Sequence, residues 1–303
     1  MNVIPFILTI VFAPLMLGTI NRVKAIFGGR CGQPLVQPYL DVWKLLHKGA
    51  VYSRTTSWVF RAGPIVTLSS VLVAAALMPL GGCPALLSFS GDLILFAYLL
   101  ALGRFFTVAA ALDTGSAFEG MGASREVFFS TLAEPALLLG LAAVAKKAIG
   151  TPLISLTEIR SHVTPELWDE AGLILVFVAI AFLLVFLAEN SRIPVDDPNT
   201  HLELTMIHEV MVLDHSGPDF AFIQYAAALK LWILGVLAVG MVIPNTGNVV
   251  ADLAMSLAGM IGLAVIVGVI ESVMGRLQLM RVPQLLVGAT ALSVLALALE
   301  YRG

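Results

Sequence analysis

Glu189, Arg192, Asp196, Asp197, His201, Glu203, His208 and Glu209 crowd into one stretch, AENSRIPVDDPNTHLELTMIHE, at residues 188–209. Carboxylates among imidazoles suit two chemistries, holding a metal ion and passing protons. On a helix His201 and His208 would share a face. The H-E-x-x-H spacing of a zinc site is absent, however, because His208-Glu209 is followed by Val-Met-Val-Leu-Asp. No metal site is expected. No G-x-S-x-G elbow and no Walker or Rossmann glycine pattern occurs, so no catalytic residue is assigned to this chain. Proton passage remains, and a second set of ionisable residues bears on it. Arg104 sits in LALGRFFTVAA, Glu134 in STLAEPALLLG, Lys230 in AALKLWILG and Glu271 in VIVGVIESVMG, while Asp92, Asp113 and Glu189 close or open apolar runs. Near a bilayer centre each such charge costs about 2.5–3.5 kcal/mol on insertion scales, so each needs a partner or a task. Asp92 and Glu271 read as static pairs that fix helix packing. Glu134 reads as functional, because Pro135 frees a backbone carbonyl near it and Arg104 and Lys230 are candidate counter-charges. The expected proton or ion path is Glu134, Glu189, Lys230, Arg104 and Asp113.

The elements that must position these residues follow from composition. The 303 residues are 59% hydrophobic and 12% charged, against about 25% charged in a soluble domain. Mean hydropathy is +0.95. Length would allow two soluble domains, but the apolar runs argue for one all-α polytopic membrane domain over 1–303. Spanning takes roughly 20 apolar residues, which places eight transmembrane helices at about 2–20, 64–80, 92–112, 126–145, 171–188, 223–243, 250–271 and 283–299. The apolar start lacks a basic n-region, so 2–20 is expected to be a retained span and not a cleaved signal. A net charge of −3 without a basic stripe excludes nucleic acid. Cys31 and Cys83 lack metal-ligand spacing.

The basic residues orient the bundle. Arg22, Lys24, Arg30, Lys44, Lys48, Arg54 and Arg61 fall in loop one, and Arg125, Arg192, Arg276 and Arg281 in loops three, five and seven. Only Lys146, Lys147, Arg160 and Arg302 fall on the other side. Odd-numbered loops are therefore expected in the cytoplasm and both termini outside. Residues 35–50 form an amphipathic pattern, with Leu35, Tyr39, Val42 and Leu46 on one face and Gln37, Asp41, Lys44 and Lys48 opposite. That suits a helix lying in the cytoplasmic interface, either as a lipid anchor or as a platform for a soluble partner. The acidic loop over 189–222 is expected to pair with basic loop one or to form a charged rim for a partner.

Three separated segments resemble a known family. AENSRIPVDDPNTHLEL is similar to the cytoplasmic loop of the complex I membrane subunit that forms the quinone-chamber entrance. GRCGQPLVQPYLDVWKLLHK resembles that family's first loop, and GASREVFFSTLAEP its segment around an intramembrane glutamate. Departures point to one branch. Gln33 stands for a proline, Val195 for a phenylalanine, Ala133 for a tyrosine, and Asn199 and His201 for two acids. ALDTGSAFEGMGASRE and THLELTMIHEVMVLDHSG look more like the corresponding subunit of group 4 membrane-bound nickel–iron hydrogenases, of the formate hydrogenlyase and hydrogenase-4 type.

The resemblance implies that Glu134 begins the ion path. It implies that Arg192, Asp196, Asp197, His201, Glu203, His208 and Glu209 face the peripheral arm, and that Arg30, Asp41 and Lys44 are the first-loop motif. It implies no cofactor in this chain, with iron–sulfur clusters and a nickel–iron centre in partner subunits. The implied partners are the hydrogenase large and small subunits, antiporter-like membrane subunits and the bilayer of a prokaryotic cytoplasmic membrane. The implied role is to anchor the arm and couple its redox reaction to proton or sodium movement. The alternative is a quinone-chamber subunit of a complex I-type NADH:quinone oxidoreductase. A self-sufficient transporter is disfavoured by the absence of an internal repeat.

Overall fold

Long apolar runs fold as helices because in lipid every backbone polar group must be satisfied within the chain. A computed structural model describes residues 3–149, 155–196 and 206–301. It holds ten α-helices among the described residues: α1 (Val3–Phe27), α2 (Gln37–Leu46), α3 (Trp58–Ala76), α4 (Asp92–Asp113), α5 (Ala117–Ile149), α6 (Leu156–His162), α7 (Pro165–Glu189), α8 (Gly217–Val242), α9 (Val249–Val273) and α10 (Val282–Glu300). Eight of them, all but α2 and α6, are long and apolar enough to cross a membrane. The chain is an all-α, multi-pass membrane protein.

Polar caps set several helix starts. Ser57, Thr164 and Asn248 accept hydrogen bonds from the first-turn amides of α3, α7 and α9. Ser155 and Glu158 form a capping box on α6. That short helix has no counterpart among the expected elements. Buried Asp92, at the start of α4, holds it by accepting from Ser155 Oγ at 2.5 Å and Leu156 N at 2.7 Å.

α8 is the central helix and packs against α1, α2, α3, α7 and α9. Almost all of 228–241 is buried. α5, α7 and α10 form a second group that meets α8 through α7. The expected fourth span at 126–145 is part of the longest helix, which starts at Ala117 and runs through Pro135. Hydroxyls of α10 bond carbonyls on either side of that proline: Thr290 to Leu132 O at 3.4 Å and Ser293 to Ala136 O at 2.7 Å. Neighbouring helices make such an interior proline tolerable. Pro14 in α1 is served more directly. It lacks the N–H that would bond Ile10 O, and Tyr225 Oη donates to that carbonyl at 3.0 Å.

Loops one and five meet at one end of the bundle, where Val51 N donates to Ser216 Oγ at 3.0 Å. The segment expected as a loop over 189–222 is shorter, since Glu189 closes α7 and α8 begins at Gly217. α2 lies within residues 35–50, where an amphipathic helix is expected. No residue of it is fully buried, and Leu40 and Trp43 are exposed. Its Tyr39 hydroxyl donates to Val11 O of α1.

Gly18 lets the chain ahead of α2 lie directly on α1, because a Cβ there would collide with the Leu35 carbonyl oxygen. Gly18→Ala is therefore expected to destabilise the protein by about 1–3 kcal/mol, the usual range for overpacking. A thermal-inactivation series in detergent reads this. An unchanged midpoint would show that the contact yields freely.

Candidate functional site

Three charges expected within spans, and Glu189 expected at a span end, come from four different helices and meet in one chain of ion pairs. Arg104 of α4 reaches Glu134 of α5 at 2.5 Å and both carboxylate oxygens of Glu189 on α7 at 2.9 Å. Lys230 of α8 reaches the same Glu189 at 2.8 Å. The order is Glu134–Arg104–Glu189–Lys230, two anions and two cations. Glu189 is the hub, with a side chain only 6% exposed. One guanidinium nitrogen held between both carboxylate oxygens, and an ammonium on the same carboxylate, make this a strongly held anion. Glu134 differs, because 47% of its side chain is exposed at the outer face of the bundle.

Cavities flank this chain of charges. One of about 110 Å³ is lined by Arg104, Glu126, Glu189, Arg192, His208 and Lys230. A second, of about 310 Å³, shares Arg104 and Glu189 and extends to Glu134 and Tyr98. A third, also about 310 Å³, shares Arg192 and His208 with the first and runs between α1, α2 and α8 past Asp41 and Tyr225. Shared walls make the three a series from α2 to the face that bears Glu134. The first has room for several waters among polar partners. The arrangement can move a charge by exchanging partners, since Arg104 holds two carboxylates and Glu189 holds two cations.

Of the residues expected in the path, Asp113 lies elsewhere. It sits nine residues after Arg104, which on a helix is the opposite face and about 13 Å further along. There it accepts from Ser57 N at 2.6 Å and caps the approach to α3.

Arg192 and Asp196, expected on a partner-facing rim, are buried inside this chain. Arg192 is 3.3 Å from Glu271, which also holds Lys24 at 2.8 Å. Asp196 is 2.9 Å from Arg276 and accepts from Ile207 N at 3.1 Å and His208 N at 3.4 Å. Buried counter-charges on neighbouring segments turn both side chains inward. The acid of loop five thus pairs with the segment after α9, and basic Lys24 with the end of that helix. Glu209 is half-buried and lines the third cavity. Asp197, His201 and Glu203 lie outside the described residues. In the first-loop motif, Arg30 and Lys44 are exposed, while Asp41 lines the third cavity and accepts from Gln37 Nε2 at 2.8 Å.

Glu126 was not among the expected residues, yet it is buried and lines the first cavity. The signal was present in the sequence. Glu126, Phe129, Ser130 and Ala133 follow i, i+3, i+4, i+7 spacing and form one stripe of α5, with Glu134 beside it.

Two histidines near this end are held neutral. Desolvation holds His208 down to about 4, and the Lys230 ammonium adds to the effect. Desolvation likewise lowers His215, stacked on Phe60 at 3.9 Å, to about 4 against the pull of Asp219 and Asp214. Each imidazole titrates near its ordinary 6.5 once the chain unfolds. Between these values the unfolded state binds more protons, so stability is full above about 6.5 and falls as pH drops toward 4. The thermal midpoint is expected to fall across that window, and less steeply in His208→Gln or His215→Gln. Equal slopes in all three proteins would remove the histidines as the cause.

Among the described residues no cluster of three or more histidine, cysteine or carboxylate ligands is placed to hold a metal ion.

Comparison with known proteins agrees with this architecture. The NADH dehydrogenase family model matches residues 1–300. Formate hydrogenlyase subunit 4 of Escherichia coli (strain K12) is 31% identical over 90% of this chain and 89% of that protein. Hydrogenase-4 component C of the same organism is 32% identical over 78% of this chain and 73% of its own length. In fold, the chain is similar to one chain of the membrane-bound sulfane sulfur reductase, an archaeal respiratory membrane complex, with a TM-score of 0.82, 24% identity and 98% of both chains covered. An eight-span bundle matched by that family model from end to end, and two relatives above 30% identity, place it: the chain belongs to the NADH dehydrogenase family, with formate hydrogenlyase subunit 4 and hydrogenase-4 component C among its relatives.

Proposed function

We propose that this chain is the membrane subunit of a hydrogenase complex of the respiratory type, that it anchors a peripheral arm, and that it couples the arm's redox reaction to proton or sodium movement. The observation that carries the reading is the Glu134–Arg104–Glu189–Lys230 chain, which joins the loop-five end of the bundle to its outer face. The names of two relatives above 30% identity support the hydrogenase assignment.

The geometry suggests how coupling works. A redox event in the arm changes the charge near His208 and Arg192. Lys230 then shifts its weight at Glu189, and Arg104 redistributes between Glu189 and Glu134. In a low-dielectric interior such charges act on one another over several ångströms. Glu134 delivers the change to whatever covers its face. A half-exposed carboxylate within a span does not face lipid tails at low cost, so the fitting neighbour is another membrane subunit, of the antiporter-like kind. Iron–sulfur clusters and the nickel–iron centre belong to the peripheral subunits in this reading. The odd-numbered loops face the cytoplasm of a prokaryotic cell.

The test is to purify the complex through this chain, identify its subunits and reconstitute it in sealed vesicles. Ion uptake that starts and stops with redox turnover is the expected result. Hydrogenase turnover with no ion movement would leave only the anchoring role.

A second reading, a quinone-chamber subunit, is favoured by the third cavity, where apolar Pro14, Leu17 and Val42 adjoin polar Gln33 and Asp41 beside the interfacial helix. Inhibition of electron transfer by quinone-site inhibitors would select it. Indifference to them is expected under the first reading.

A further inference from the structure

Glu126 is the one carboxylate facing the first cavity that makes neither a hydrogen bond nor an ion pair among the described residues. It is nevertheless within electrostatic reach of Lys230, Glu189 and Arg104. The rest of the surroundings is committed. Glu189 accepts two guanidinium contacts at 2.9 Å and holds the Lys230 ammonium at 2.8 Å. Glu134 is bound to Arg104 at 2.5 Å. Arg192 is matched by Glu271, which also holds Lys24, a side chain 22% exposed. His208 is neutral above about pH 4. The chain of four closes at zero net charge without Glu126, so Glu126 sets the surplus: one negative charge when ionised, none when protonated. It also borders a small cavity of about 10 Å³ on its other side, with Ser130, Ala133 and Glu189. A carboxyl group that no donor pins, enclosed between two cavities and next to two cations, has the attributes of a proton carrier. A carboxylate held by three N–H contacts does not, because protonating it would break them.

We propose that Glu126 is the group that takes up and releases the proton in this site, and that Glu189 is a fixed anion that positions Arg104 and Lys230. The step is a plain acid–base exchange. The Glu126 O–H bond breaks, and the proton passes to water in the cavity and on to the Glu134 carboxylate as Arg104 releases it. Arg104 then lies wholly on Glu189, and the negative charge moves from Glu134 to Glu126. The cycle closes when Glu134 releases its proton at the outer face and a proton arriving through the cavity from the His208 side binds Glu126. This assignment rests on the coupling reading above and names its carrier.

The experiment is infrared difference spectroscopy of the intact complex between resting and reduced states. A negative protonated-carboxyl C=O band, from loss of the carrier's proton, is expected in the native complex, absent in Glu126→Gln and shifted in Glu126→Asp. Ion uptake per turnover in sealed vesicles should fall at least tenfold in Glu126→Gln and partly recover in Glu126→Asp. No such band in the native complex, or a band that survives in Glu126→Gln, overturns the assignment. If Glu126→Gln does not assemble, an unshifted band in Glu126→Asp overturns it equally. A native complex that moves no ions defeats the coupling reading, and the infrared band still decides whether Glu126 carries a proton.

Discussion

Arg104→Met is expected to destabilise the protein by about 3–5 kcal/mol, the range for removing one partner of a buried ion pair. The guanidinium serves two carboxylates at once, Glu134 at 2.5 Å and Glu189 at 2.9 Å. Without it Glu189 retains only Lys230, and Glu134 is left a lone carboxylate within a span. Methionine fills most of the volume, so the loss is electrostatic and not a cavity effect. Little assembled protein should be recovered from the membrane, and what is recovered should unfold at a lower temperature. The double variant Arg104→Met/Glu134→Gln restores one-to-one charge between Lys230 and Glu189. It should be less destabilised than the sum of the two single variants, by about 0.5–3 kcal/mol. Strict additivity would show that the four groups do not act as a chain.

Glu134→Gln is the second large effect, and it falls on coupling. Glutamine has almost the shape of glutamate and can still accept a hydrogen bond from Arg104, so helix packing is preserved. It cannot take a proton or carry the negative charge that Arg104 balances. The complex should assemble and retain its redox turnover in detergent, because no cofactor is assigned to this helix face. Ion movement in sealed vesicles should fall by an order of magnitude or more. Glu134→Asp keeps the charge on a shorter arm and should retain part of it.

The spans were legible because an apolar run of spanning length has few other ways to fold in lipid. All eight were expected, with errors at their ends. The largest was at α5, which starts at Ala117 and not near 126, because Glu119, Arg125 and Glu126 break the apolar run there. The charges Arg104, Glu134, Glu189 and Lys230 were legible one by one, because a charge inside an apolar run is conspicuous. Their pairing was not, since it depends on how far each helix is rotated. Asp113 shows the point: the correct helix, nine residues along, on the wrong face. Glu126 is inconspicuous because it follows Arg125 near the start of a long helix and reads as part of a solvated end. Only the stripe it forms with Phe129, Ser130 and Ala133 marks it as inward. Arg192 and Asp196 were read as a rim because their partners, Glu271 and Arg276, lie some 80 residues away, and no local pattern announces so distant a pairing.

In the proposed function the chain of ion pairs from Lys230 to Glu134 transmits a redox event into ion movement. The most direct measurement of this is the ratio of ions taken up to electrons transferred, in sealed vesicles holding the native complex, Glu134→Gln or Glu134→Asp. A finite ratio is predicted for the native complex, a ratio near zero for Glu134→Gln at comparable electron transfer, and an intermediate one for Glu134→Asp. An unchanged ratio in Glu134→Gln would contradict transmission through this chain.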